Sequence, residues 1–328
     1  MRKENCNLEV IILSNRIEYL DTAKGILIIL MVTGHVFLTG SVRNFIYCFH
    51  MPAFLIVSGI LFAKTSQLKK KTSVFIFSRI KSLIVPFVFS ELIGVLTDII
   101  CNGFSLSPVG YVFNTLNQDW NNGADGFLIH MFVAELAFFF VLKIPNKYVS
   151  LSIVFGAMIV SFLLPTMFLP GKWGVFRMFG AYLGYLGVGF VLFSREFFEN
   201  RKIIKYMSIV LSFLMCLGIS FFSITITASF GTFWSFVFIV GSVAGSYFVL
   251  EISRLINLRI LMYFGRNSII VLMTHNLLLL PARKYIPNAF DIPVEILILI
   301  GIILVEIPII YIINRFVPIM IGRKRKKV

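Results

Sequence analysis

Apolar positions in this chain run in long unbroken blocks, not in the alternation of a strand or the single stripe of a soluble amphipathic helix. Crossing a bilayer core takes roughly 20 mostly apolar residues. Ten blocks approach that length: Leu20–Thr39, Phe45–Ala63, Val74–Ile99, Gly126–Leu142, Tyr148–Pro165, Trp173–Phe193, Ile203–Phe222, Phe230–Ile252, Leu261–Leu280 and Val294–Asn314. The ninth is interrupted by Gly265, Arg266 and Asn267. The pattern predicts an all-α, polytopic membrane helix bundle of about ten transmembrane helices. No internal repeat or low-complexity linker divides it. The expectation is one domain over residues 1–328, with an N-terminal segment at 1–19 and a basic tail at 315–328. After Met1-Arg2-Lys3 the run Val10–Leu13 is too short for a signal peptide, and no small-residue cleavage site follows. The first span is therefore expected to act as its own uncleaved anchor.

Composition agrees with that pattern. Of 328 residues, 58% are hydrophobic and 14% charged, and the mean hydropathy is +0.92. Soluble domains run at roughly 45–50% apolar and about 25% charged, so a soluble enzyme is excluded. The 36 phenylalanines exclude disorder. A net charge of +15 raises the question of nucleic acid. The placement of the charges answers it differently. With the N-terminus in the cytoplasm and the sides alternating, Arg43, Lys172, Arg177, Arg283 and Lys284 alone fall outside, and the other 25 of the 30 Lys and Arg fall inside. None occurs between Lys81 and Lys143. This bias predicts both termini in the cytoplasm, and it explains the charge by topology without nucleic acid. The tail Arg323–Lys327 and the run Lys69–Lys71 read first as topology signals; the tail also suits anionic membrane lipid.

The four cysteines (Cys6, Cys48, Cys101 and Cys216) have no CxxC spacing and no His partners, so neither a disulfide framework nor a metal site is expected. Ionisable groups inside spans are costly and mark function or a structural pair. Here they are Lys24, His35, His50, Glu91, His130, Glu135, His275 and Glu306, which include all four histidines of the chain. Each histidine falls toward the outer end of its span. Lys24 precedes His35 by eleven residues, about three turns or roughly 16 Å, which returns to nearly the same helix face. Lys24 and His35 thus share a stripe yet stand too far apart to pair. Gly34 thins the helix beside His35. The chemical reading is a general base at His35 with positive charge from Lys24; the bland one is helix packing. Glu91 and Glu306 suit a helix bridge as well as a site.

Span one reads Arg16-Ile-Glu-Tyr-Leu-Asp21-Thr-Ala-Lys24-Gly25 and ends Gly34-His35; span two reads Phe49-His50-Met51-Pro52-Ala53-Phe54, then Ser58-Gly59. Span three carries Arg79 seven residues before Pro86, and span nine carries Gly265-Arg266-Asn267-Ser268 followed by His275. In this order and spacing the chain resembles the integral-membrane acyltransferase-3 family, and within it the fucose 4-O-acetylase-like group. It departs from the family in having Lys24 where Arg is usual. It also has Ser82, beside Lys81, where a second basic residue is common, and Phe127-Leu128 without the usual nearby Trp.

The resemblance implies an acyl-CoA-dependent O-acetyltransferase that moves acetyl from acetyl-CoA to a hydroxyl of a cell-surface or lipid-linked sugar, in a bacterial cell (inner) membrane. It implies His35, Lys24 and His50 as catalytic residues. Arg79, Lys81, Asp21, His130, Glu135 and His275 become substrate-binding candidates. The chemistry is reasonable, because a sugar hydroxyl needs a base and a histidine titrating near pH 6.5 suits neutral conditions. No GxSxG elbow, phosphate loop or HExxH competes, and chemistry is expected within the membrane domain. The rival class is a transporter or flippase of a lipid-linked sugar, against which stands the lack of a repeat.

Overall fold

The computed structural model describes residues 17–103, 124–163, 174–193, 202–223 and 231–323. Residues 1–16 (with Cys6), 104–123, Lys172, Arg195, Arg201 and the residues from Lys324 lie outside the described residues, as do the side chains at 124–125 and 174–177. The chain is all-α, and among the described residues there is no strand. In order the helices are α1 (Glu18–Val36), α2 (Ser41–Lys64), α3 (Thr72–Asn102), α4 (Ala124–Leu142), α5 (Lys147–Leu163) and α6 (Gly174–Val188, continued by a π turn Gly189–Phe193). Then follow α7 (Lys202–Ser220), α8 (Trp234–Leu255), α9 (Arg259–Arg266), α10 (Ser268–Tyr285) and α11 (Ile292–Phe316).

Each of the ten predicted blocks overlaps these helices, and Leu164, Pro165, Trp173 and Phe230 at block ends lie outside the described residues. Among the described residues, α1, α2, α3, α7, α8 and α11 are long and apolar enough to cross a membrane, and Gly126–Leu142, Lys147–Leu163 and Met178–Phe193 are shorter apolar helices. The ninth block breaks in two at Asn267, the residue shared between the end of α9 and the start of α10. Its Nδ2 donates to the Tyr263 carbonyl at 2.8 Å, satisfying one of the acceptors that a helix end leaves open.

The outer surface is apolar. Met207, Val210, Leu211 and Leu214 on α7, and Leu297, Ile300 and Leu304 on α11, are exposed. Water would penalise patches of this size, whereas lipid does not. With their helical backbones satisfied internally, these segments meet the condition for living in hydrocarbon. The chain is an integral membrane protein.

Helix α1 is the central strut. Leu20, Ala23 and Leu27 join a core shared with α2, α4, α6 and α8, while Ile28, Met31, Val32 and Val36 join a second core shared with α10 and α11. Burial on both sides explains why a helix bearing Asp21, Lys24 and His35 is held in one orientation. Two glycines let α9 lie against it. A Cβ on Gly25 would sit 1.9 Å from the Leu261 carbonyl oxygen, and one on Gly265 would sit 1.7 Å from that of Asp21. Only backbones without side chains approach this closely.

Helix α3 is continuous but contains a π turn, Ile80–Ile84. Pro86 cannot donate to the Ser82 carbonyl and its ring crowds it. The helix widens there, with the Val85 amide donating to the Ile80 carbonyl five residues back.

Candidate active site

The bundle has a basic end and a histidine end. At the basic end, Asp21 accepts from Lys24 Nζ on Oδ1 and from Arg266 Nε on Oδ2, each at 3.0 Å. This ties α1 to α9 where their backbones meet. Asp21, a candidate for binding substrate, thus holds two cations in place, and Lys24 spends part of its charge locally. Opposite, on α4, the Glu135 carboxylate is wholly buried. It accepts from the Ser58 hydroxyl on Oε1 and pairs with Arg79 Nη1 at 3.1 Å on Oε2. The π turn begins one residue after Arg79, so the widened backbone sits where the guanidinium is presented. Lys70 lies beside Arg79; burial first, and the Arg79 charge second, push its ammonium below the usual lysine range. Lys81 sits over the Phe77 ring at 4.2 Å and off the cavity described next.

A cavity of about 230 Å³ leads from these cations toward the histidine end. Its α1 wall is Lys24, Ile28 and Met31, and its α2 wall includes Met51, Phe54, Ser58 and Leu61. Arg79 and Ser82 from α3, Phe127, Met131 and Glu135 from α4, and Ser268 and Leu272 from α10 complete it. Positions 24, 28 and 31 follow one helix face, and the next step on that face is 35. The interior is apolar, and the cations stand at one end. The volume is below the roughly 300–1,000 Å³ of ordinary ligand pockets, which suits a slender chain better than a ring system.

At the histidine end, three of the four histidines converge. The His35 and His275 rings lie 5.1 Å apart, edge to face. Tyr47 bridges to His50, its ring 6.3 Å from that of His35 and 4.9 Å from that of His50. Gly34 makes the room: a Cβ there would come within 2.9 Å of Tyr47 Cε2. His50 Nδ1 lies 2.9 Å from the Ile46 carbonyl, and His275 Nδ1 lies 3.0 Å from those of Val271 and Leu272. A carbonyl only accepts, so Nδ1 carries the proton and Nε2 keeps its lone pair. The His35 ring makes no hydrogen bond among the described residues and is partly accessible. Its backbone is fixed instead, since Arg283 Nη2 donates to the carbonyls of His35 and, at 2.8 Å, Val36. Beside His275, Thr274 donates to Glu306 on α11 at 2.8 Å, which gives Glu306 a bridging role between helices.

His130 stands apart from this trio. Its Nδ1 lies 2.7 Å from the Gly126 carbonyl and its ring is 5.6 Å from that of Tyr182 on α6. Helix α4 turns position 130 toward α6 while presenting Met131 to the cavity. Among the described residues no group of His, Cys, Asp and Glu is arranged to hold a metal.

From the sequence, Ser58 stood only as part of a motif, and Tyr47, Arg43 and Arg283 had no role at the site. One signal was present: both arginines are among the five basic residues that fall on the side the charge bias disfavours.

An acyltransferase-domain family model matches residues 17–315, and the chain belongs to this acyltransferase-3 family. Comparison with curated proteins and with solved structures returned no match. The protein is a membrane acyltransferase, and the matched span contains every residue of the cavity and the histidine cluster.

Proposed function

We propose that the protein transfers acetyl from cytoplasmic acetyl-CoA to a hydroxyl of a cell-surface or lipid-linked sugar, with His35 as the general base. This places it in the fucose 4-O-acetylase-like group and in a bacterial inner membrane. The observation that carries the reading is the cavity running along the Lys24–His35 face, with fixed cations at one end and a free imidazole beyond the other. Phosphates of CoA are held at the basic end by Arg79, with Lys24 adding charge. The pantetheine arm is thin enough for the apolar cavity, while the nucleotide stays outside. Threading the arm brings the thioester toward His35.

The acceptor hydroxyl gives its proton to His35 as its oxygen attacks the thioester carbonyl carbon. The tetrahedral intermediate collapses, the carbon–sulfur bond breaks, and His35 returns the proton to the departing thiolate. His50 and His275 present Nε2 lone pairs that orient the acceptor. Ten spans with both termini cytoplasmic put the basic end on the side where CoA is made.

The test compares surface glycans by mass spectrometry from cells carrying the wild type, His35→Ala and His35→Gln. A general base contributes about 10²–10⁴-fold, so both variants should lose transfer by at least the lower figure while still folding. Gln can hydrogen-bond but cannot take a proton. Full acetylation by His35→Gln removes His35 from the role of base. Wild-type glycan without added acetyl, together with facilitated movement of the saccharide across vesicles, would favour the transporter reading.

A further inference from the structure

The two arginines at the histidine end have no part in the transfer just described. Arg43 lies on α2 with its guanidinium carbon 4.3 Å over the Tyr47 ring. Its Nε is buried without a hydrogen-bond partner, and among the described residues no carboxylate pairs with it. Stacking on an aromatic face leaves the edge of the fork, where its donors lie, open. Arg283 commits Nη2 to α1, and among the described residues its other nitrogens make no hydrogen bond. The field of Glu295 reaches it, but among the described residues Arg283 makes no ion pair. The charges of both arginines also reach His35. They therefore flank the base from two helices.

Uncompensated cations at the end of a bundle most of whose basic residues gather at the opposite end work against topology and folding. They are not placed to serve CoA, whose phosphates belong at the basic end about three turns away. What remains is the acceptor. Resting on the proposed transfer, we infer that Arg43 and Arg283 bind an oxyanion on the acceptor, a phosphate, a diphosphate or a carboxylate, close to the hydroxyl to be acetylated. The acceptor is then an anionic saccharide and not a neutral one. Two planar forks beside a tyrosine ring suit bidentate recognition of such a group.

Titration calorimetry tests this on the purified full chain in uncharged detergent, with inorganic diphosphate as one probe and glucuronate as the other. Saturable binding of either is expected, and which one binds separates a phosphate acceptor from an acidic sugar. Arg43→Gln should weaken it about ten-fold or more, as loss of a charged hydrogen bond does. Arg43→Lys keeps the charge and should recover part of it, which separates a lost site from a misfolded chain. Absence of binding by both probes overturns the proposal. So does loss of binding in Arg79→Gln with Arg43→Gln intact, since the anion then sits at the donor end. Binding is read without turnover, so this failure is distinct from a failure of acetyl transfer.

Discussion

Glu135 is a carboxylate with no exposed surface, and the two groups holding it come from two other helices. Arg79 therefore does two jobs, neutralising Glu135 and presenting charge to the cavity. Replacing it should separate them. If Arg79 grips a CoA phosphate as proposed, Arg79→Ala is expected to raise the apparent KM for acetyl-CoA about ten-fold or more, with little change for the acceptor. It also leaves a buried charge alone, a loss of about 3–5 kcal/mol that should appear as a lower Tm. Arg79→Ala with Glu135→Gln should recover the stability but not the KM; recovery of both would reduce Arg79 to a structural counter-ion. The sequence showed Glu135 as a charge inside an apolar block and Arg79 through the family resemblance, yet not that they were partners, because 56 positions separate them. The Lys24–His35 face was legible, since it needs only the helical repeat.

Elements set the distances that residues use. The contact of α1 with α9 brings Arg266 to Asp21, and it exists because Gly25 and Gly265 present bare backbone to each other. Gly265→Ala puts a methyl 1.7 Å from a carbonyl oxygen that cannot swing away. The helices must part, at about the 1–3 kcal/mol that overpacking costs. The expected outcome is a Tm lowered by several degrees, together with weakened transfer as Asp21 loses Arg266. Gly301→Ala, whose added Cβ meets nothing within 4 Å, should leave the Tm in place. Equal melting of the two variants would mean that α9 yields freely. Sequence gave the positions of both glycines within a recognisable block. It did not give their contact, which depends on the break at Asn267 turning α9 back along α1. The π turn in α3 was hidden for a related reason: Pro86 announces a disturbance, but whether the helix kinks or widens is decided by what packs around it.

At the scale of the whole molecule, chain polarity and charge fit together. Asp21, Lys24, Arg79, Arg254 and Arg266 gather at one end and His35, His50 and His275 toward the other, and the proposed transfer has the donor enter at the first end and the acceptor at the second. The helical repeat was enough to set Lys24 and His35 at opposite ends of one helix face, because that is a property of a single segment. The packing of His130 against Tyr182 on α6 was not foreseeable, since it depends on the rotation of α4. The division requires that the histidine end face away from the cytoplasm, and α3 offers a direct probe. Cys101 is partly accessible at the end of α3, near the histidine end, where Tyr285 donates to the Ile100 carbonyl at 2.7 Å. Cys48 and Cys216 are buried. In a Cys6→Ser background, an impermeant maleimide added to spheroplasts should therefore label Cys101 and be blocked by Cys101→Ser. Labelling only after the membrane is opened would invert the topology. It would put the histidine end in the cytoplasm and leave the arginines of the basic end facing a compartment without CoA. The route of the donor through the cavity would then have to be abandoned, even if His35 remained the base.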